Sequence, residues 1–260
     1  MAEPQNLPPP PVLDPGQALF LDFDGTLVEI TGSPDQVKVT RTLPQLLSAL
    51  AARLAGAVAV ISGRSLDELA KLLDPFDGAL AGMHGLERRA SDGTLVRALP
   101  VAGLGRARAL FADFVAVRPQ LLLEDKGRGL ALHYRRAPAM ASACRDAALR
   151  AAALAGDALE LIEGKMVVEV RPLEANKGQA IATLLAEPPF RGRVPVFIGD
   201  DRTDEDGFVV VNSMGGLSIQ VGRHTDTAAR HGISDVNGVL AWLAASLGQN
   251  PPGTSPLEAC

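Results

Sequence analysis

Residues 18 to 27 read Ala-Leu-Phe-Leu-Asp-Phe-Asp-Gly-Thr-Leu: a short apolar run, two carboxylates one residue apart, then glycine. A brief apolar run closed by a turn signal fits a strand covered on both faces, as in a parallel sheet. Ligands of such sheets sit beyond the carboxyl ends of the strands, which is where Asp22 and Asp24 fall. Carboxylates this close repel each other unless a cation lies between them, and oxygen ligands favour a hard divalent ion, Mg²⁺ first. A plain Asp-Gly turn ending a strand accounts for the same residues, so the rest of the chain has to decide.

Downstream, the strand–helix alternation continues. Leu46, Leu47, Leu50 and Leu54 recur at helical spacing between Thr42, a candidate cap, and Gly56. Residues 57–61 form a second apolar run ending in Ser62-Gly63-Arg64, and Ser65 and Glu68 have the spacing of a capping box for a helix over 66–73. A third strand at 79–82 leads into Met83-His84-Gly85, and Asp92-Gly93 marks a hairpin turn. From 103 to 172 the order becomes helix, two strands, helix, two strands, which suits an antiparallel sheet with helices on one face. The first rhythm then resumes with a helix opening at Asn176-Lys177-Gly178, a strand at 194–198, a helix after Thr203, a strand at 217–221 and a helix over 239–247.

The expected fold is therefore α/β, a doubly wound, Rossmann-like parallel-sheet core made by 17–102 and 173–247. A smaller α+β domain, 103–172, is inserted through hinges near 100 and 173. Residues 1–16, with Pro8 to Pro11 in a run, are expected to be an extended or disordered leader that builds no core, and 248–260 a loose tail.

Composition narrows the function classes. The 260-residue chain is 47% hydrophobic and 21% charged, ordinary for a globular protein with a real core. A net charge of −5 and a pI near 5.4 argue against a nucleic-acid or anionic-membrane surface. No basic-then-apolar leader and no membrane-length apolar run are present, so the reading is soluble and cytoplasmic. Cys144 and Cys260 are the only cysteines, too few for a disulfide framework or a zinc site.

A second acidic cluster, Gly199-Asp200-Asp201-Arg202-Thr203-Asp204-Glu205-Asp206, again ends an apolar strand. Thr203 as a cap with acids in the first helical turn explains part of it through the helix dipole. Asp200 and Asp201 precede that helix, and Asp200 can join Asp22 and Asp24 around one metal if the two strands are neighbours. Lys177 in the first turn of a helix opposes the macrodipole by ~0.3–1 kcal/mol, which nearby carboxylates and a phosphoryl group would offset. Ser62 stands at the tip of the second strand.

Asp-x-Asp, Ser, Lys and Asp-Asp at four successive element ends resemble the motifs of the haloacid dehalogenase superfamily: Asp22-Phe23-Asp24-Gly25-Thr26, Ser62, Lys177 and Gly199-Asp200-Asp201. Within it, the second acidic cluster and the insertion resemble the trehalose-6-phosphate phosphatase family. So do Glu124-Asp125-Lys126-Gly127-Arg128, His133-Tyr134-Arg135, Gly164-Lys165 and Glu169-Val170-Arg171-Pro172. The resemblance implies a Mg²⁺-dependent hydrolase of a small sugar phosphate, trehalose 6-phosphate, in trehalose biosynthesis. Asp22 would be the nucleophile and Asp24 the acid and base. Asp22, the Asp24 carbonyl and Asp200 would hold the metal, and Ser62 and Lys177 the phosphoryl oxygens. Asp201 and Asp204 would support Lys177 or metal-bound waters.

Sugar choice would then rest with the inserted domain acting as a cap, since the core residues treat all phosphate monoesters alike. Lys126, Arg128, His133, Arg135, Lys165 and Glu169 are types that bind hydroxyls, with Lys165 and Glu169 four apart on one expected strand face. Gly63, Arg64 and His84 are further candidate substrate-binding residues. Rival readings are a capped phosphatase of sucrose phosphate or hexose phosphates, a non-catalytic sugar-phosphate-binding regulator, and a phospho-accepting receiver. The leading Asp-x-Asp and the insertion disfavour the receiver.

Overall fold

The computed structural model describes residues 7–31, 36–98, 103–154, 156–164, 166–173, 176–222 and 226–248. Two compact units divide the chain: Met1–Val96 with Asn176–Cys260, and Arg97–Ala175. The hinge positions 99–102 and 174–175, and the tail beyond 248, lie outside the described residues.

The chain begins with β1 (Gln17–Leu21), α1 (Thr42–Arg53), β2 (Val58–Ile61), α2 (Leu66–Leu72), β3 (Ala79–Gly82), β4 (Glu87–Arg89) and β5 (Leu95–Arg97). Then come α3 (Leu104–Ala116), β6 (Leu122–Asp125), β7 (Leu130–His133), α4 (Ala141–Ala153), β8 (Leu159–Gly164) and β9 (Val167–Pro172). It closes with α5 (Lys177–Leu185), β10 (Val194–Gly199), α6 (Glu205–Ser213), β11 (Leu217–Val221), β12 (His231–Ile233) and α7 (Val236–Ser246).

The first unit is an eight-stranded sheet in the order β12-β11-β10-β1-β2-β3-β4-β5. β2 and β3 are buried throughout, which is why they read as unbroken apolar runs. β1 is parallel to both β10 and β2, so the chain winds outward in two directions from it and leaves a switch-point crevice between β1 and β10. Leu21 pairs with Ile198 on one side and Val60 on the other. The strand ends are therefore level, and the residues that follow emerge side by side.

Local signals mostly act as expected. Ser65 Oγ accepts from the Glu68 N–H at 3.2 Å and Glu68 Oε2 accepts from the Ser65 N–H at 3.3 Å, closing the capping box of α2. Ser65→Ala should cost about 1 kcal/mol, read as a lowered urea midpoint; an unchanged midpoint refutes the cap. Asp92-Gly93 does form a hairpin tip, with the Ala90 N–H on the Thr94 carbonyl at 2.9 Å and Gly93 at φ 83°.

Other expectations need correction. Thr42 is already helical; the cap position is Arg41, without a side-chain cap, and the Thr42 hydroxyl pairs with that of Thr40 at 3.0 Å. α7 starts earlier than expected because Asp235 accepts from the Gly238 N–H at 2.8 Å. β12 has three residues, too few to show a period. From residue 7 onward the proline-rich leader is packed on the core. The Pro8 carbonyl accepts from Gly232 N–H at 3.0 Å, the Pro11 carbonyl from Trp242 Nε1 at 3.0 Å, and buried Leu13 donates its N–H to Ser246 Oγ at 3.2 Å. Proline lacks the N–H but keeps its acceptor, which is enough to dock an extended segment along β12 and α7.

The second unit is an antiparallel sheet in the order β6-β7-β9-β8. Leu130, Leu132, Val168 and Val170 pack with Phe111 of α3 and with Ala147 and Ala148 of α4. Period-two alternation turns their neighbours to the opposite face, where Glu124, Ala131, Glu169 and Ile162 lie in one cross-strand row.

Candidate active site

Three level strand ends deliver Asp22 after β1, Ser62 after β2 and Asp200 after β10, and α5 supplies Lys177 as its first residue. The Asp22 N–H continues the β1–β10 ladder by donating to the Ile198 carbonyl at 2.9 Å. Lys177 Nζ donates to Asp22 Oδ1 and Asp204 Oδ1, both at 2.6 Å, with its side chain 3% exposed. Burial alone would lower this ammonium; Asp204 and then Asp22 override it and hold it well above the ordinary lysine value. The dipole penalty inferred from the sequence is thus offset by two buried carboxylates.

Asp204 has no spare oxygen. Its Oδ1 takes Lys177, and its Oδ2 accepts from the N–H groups of Asp200 at 2.9 Å and Asp201 at 3.0 Å. It clasps the loop after β10 to Lys177. The cap belongs to Asp201 instead of Thr203: Asp201 Oδ1 accepts from the Thr203 N–H at 2.8 Å and hydroxyl at 2.7 Å. Burial would raise the Asp201 carboxyl, but Lys177 and the Thr203 bonds hold it below the ordinary value.

Asp22, Asp200 and Asp204 present oxygens within 4.8 Å of one another. Burial pushes Asp22 up to about 8 against the pull of Lys177, with Asp200 and Asp201 adding to the rise. Burial and then Asp204 and Asp201 push Asp200 up to about 7. Asp200 Oδ1 is buried with no hydrogen-bond partner. Gly25, at φ 87°, lies against this carboxylate so closely that a Cβ would fall 2.1 Å from Oδ2. Crowded carboxylates whose charge is disfavoured, with an orphaned buried oxygen, fit a hard divalent cation.

The Asp24 side chain does not share that cluster. Arg64 Nε and Nη2 donate to Asp24 Oδ2 and Oδ1, each at 2.7 Å, so a guanidinium answers its charge where a shared cation was expected. β1 ends at Leu21, and strand alternation no longer holds Asp24 on the side of Asp22. Arg64 also sits 5.6 Å from the Phe23 ring centroid. Ser62 is buried, its Oγ accepting from the Arg64 N–H at 3.1 Å. Gly63 leaves room for His84, whose Nε2 would be 2.7 Å from an added Cβ and whose backbone is left-handed at φ 55°.

On the face of the second unit's sheet turned away from its apolar core, Lys126 Nζ donates to Glu169 Oε2 at 3.0 Å, and Glu169 Oε1 is buried without a partner. His133 Nε2 lies 2.8 Å from Glu124 Oε2. Arg128 is half-buried in the turn after β6, and Arg135 is exposed just past β7. Lys165 lies outside the described residues. The expected sharing of one strand face by Lys165 and Glu169 therefore lies outside the described residues as well. Arg171, not singled out in the sequence, is buried on the same face as Glu169 and donates Nε to Glu160 Oε1 at 2.9 Å. Its two-residue spacing from Glu169 was the available signal.

Among the described residues no helix is long and apolar enough to cross a membrane. The sequence pattern of the trehalose-phosphatase family matches residues 20–237. The trehalose-6-phosphate phosphatase of Escherichia coli K12 is 44% identical over 234 residues, 90% of this chain and 87% of that one. A probable trehalose-phosphate phosphatase of Sinorhizobium fredii is 44% identical over 231 residues, 87% of each. The solved C-terminal domain of Candida albicans trehalose-6-phosphate phosphatase superposes with a TM-score of 0.75 at 23% identity, covering 94% of this chain and all of that domain. The C-terminal domain of a Candida albicans trehalose synthase regulatory protein shares the fold too, with a TM-score of 0.71 at 15% identity over 92% of this chain and 99% of that one. The fold alone thus does not separate an enzyme from a regulator, but the family match over residues 20–237 and the 44% identity over most of the chain do: the chain is a phosphatase and belongs to the trehalose-phosphatase family.

Proposed function

We propose that the protein hydrolyses trehalose 6-phosphate to trehalose and phosphate in the cytoplasm, through an acyl phosphate on Asp22 and with Mg²⁺ bound. The observation that carries this reading is the buried Lys177 clamp, which fixes Asp22 at a strand end beside the orphaned oxygen of Asp200. Asp22 and Asp200 side chains, with the Asp24 carbonyl, would hold the ion. When bound, Mg²⁺ supplies charge neutralisation between the carboxylate nucleophile and the phosphoryl oxygens.

A carboxylate oxygen of Asp22 forms the bond to phosphorus as the bond from phosphorus to the sugar oxygen breaks. Asp24 gives that oxygen a proton, then takes one from the water that cleaves the acyl phosphate. Arg64 holds the Asp24 carboxylate through two bonds of 2.7 Å, which orients it for both proton transfers. Lys177 and Ser62 bind phosphoryl oxygens, and Asp204 holds Lys177 in place.

Phosphate release from trehalose 6-phosphate should stop on chelation and return with added Mg²⁺, and Asp200→Asn should lower kcat by several powers of ten. Undiminished turnover in chelator would remove the metal from the reading. A panel including sucrose phosphate and hexose phosphates should favour trehalose 6-phosphate.

Sugar recognition is assigned to the polar face of the second unit, where Glu169 keeps one buried oxygen unpartnered. Glu169→Ala removes a charged acceptor worth ~1.5–3 kcal/mol per hydroxyl bond, or roughly tenfold to more than a hundredfold in kcat/KM. Hydrolysis of para-nitrophenyl phosphate, which has no sugar, should change little. Equal losses on both substrates would take sugar reading away from Glu169.

A further inference from the structure

Gln220 lies on β11, where it pairs with Gly199, the residue before Asp200, and it is 1% exposed. Its Nε2 donates to the Asp200 carbonyl at 2.9 Å and to the Val221 carbonyl at 3.0 Å, while Oε1 accepts from the Thr227 hydroxyl at 3.1 Å. The amide can sit only one way round, since the flipped group would press its oxygen against two carbonyls. Thr227 is anchored in turn. Its hydroxyl accepts from the Ala229 N–H at 3.1 Å, and Glu205 Oε2 takes the Ala228 N–H at 2.8 Å.

The Asp200 main chain is therefore gripped at both ends, its N–H by Asp204 Oδ2 and its carbonyl by Gln220. Of its side chain, Oδ1 is buried with no hydrogen-bond partner. The aim of that carboxylate is inherited from the backbone and from the gap left by Gly25.

We propose that Gln220, steadied by Thr227, is a positioning residue for Asp200 that sets the affinity for the divalent cation while touching neither cation nor substrate. This rests on the metal reading given above. Groups that orient metal ligands through one intervening bond typically change affinity ~10–100-fold when removed.

The test is calorimetric titration of Mg²⁺ into the full-length protein, alongside its melting temperature, for wild type, Gln220→Met, Thr227→Val and Thr227→Ser. Gln220→Met keeps the side-chain length and removes the amide; it should raise the Mg²⁺ Kd about tenfold or more. Thr227→Val should raise it less, and Thr227→Ser, which keeps the hydroxyl, should stay near wild type. A folded Gln220→Met with a lower melting temperature but the wild-type Kd overturns the proposal and leaves the amide a purely structural part. If Gln220→Met does not fold, the Thr227 pair decides, and equal Kd values for its Val and Ser forms overturn the proposal. A wild type that takes up no Mg²⁺ overturns the metal reading and this one with it; a binding wild type matched by its variants overturns this one alone.

Discussion

Asp22→Asn is expected to lower kcat on trehalose 6-phosphate by ~10⁴-fold or more, the scale of loss when a nucleophile is removed, while the protein stays folded. The amide cannot form the acyl phosphate, yet it fits the same space, and its oxygen can still accept from Lys177. Lys177 also keeps Asp204 at 2.6 Å, so no ammonium is stranded. Burial already pushes the Asp22 carboxyl up to about 8, meaning that the charged form is poorly tolerated there and a neutral isostere removes a desolvation cost. Urea unfolding should thus show unchanged or raised stability beside the lost turnover. A folded Asp22→Asn protein with near-normal phosphate release would remove the nucleophile assignment.

Lys177→Met should have the opposite profile, losing both activity and stability. Removing one partner of a fully buried ion pair typically costs about 3–5 kcal/mol, because the remaining charge keeps its desolvation penalty. Here two carboxylates share the ammonium, with side chains 5% exposed at Asp22 and fully buried at Asp204. The urea midpoint, measured in chelator so that bound cation cannot mask the loss, should fall sharply. Adding Asp22→Asn should recover part of it, giving a coupling energy by double-mutant cycle. A Lys177→Met midpoint equal to that of wild type would show that the clamp contributes nothing to stability.

Glu169 and the metal cluster illustrate what one-dimensional spacing can and cannot carry. Apolar runs closed by turn residues located β1, β2, β3 and β10, because strands covered on both faces have little choice but Val, Ile, Leu, Phe and Ala. The capping box at Ser65 and the hairpin at Asp92-Gly93 were legible because their partners lie within a few residues. Lys177 was legible as an energetic anomaly that required partners, though not which ones.

What depended on residues far apart in the chain was not legible. Asp24 pairs with Arg64 across 40 positions, the leader docks on α7 across more than 200, and Gln220 reaches Asp200 from a neighbouring strand. Asp204 was readable as a first-turn acid favoured by the helix dipole; only the fold turns it inward to Lys177. Local sequence determined the doubly wound core, the antiparallel second unit and the carboxylate-bearing strand ends, since period, caps and turns act over short distances. Tertiary structure alone decided which carboxylate faces which cation, because that choice follows from strand register and the burial that comes with it.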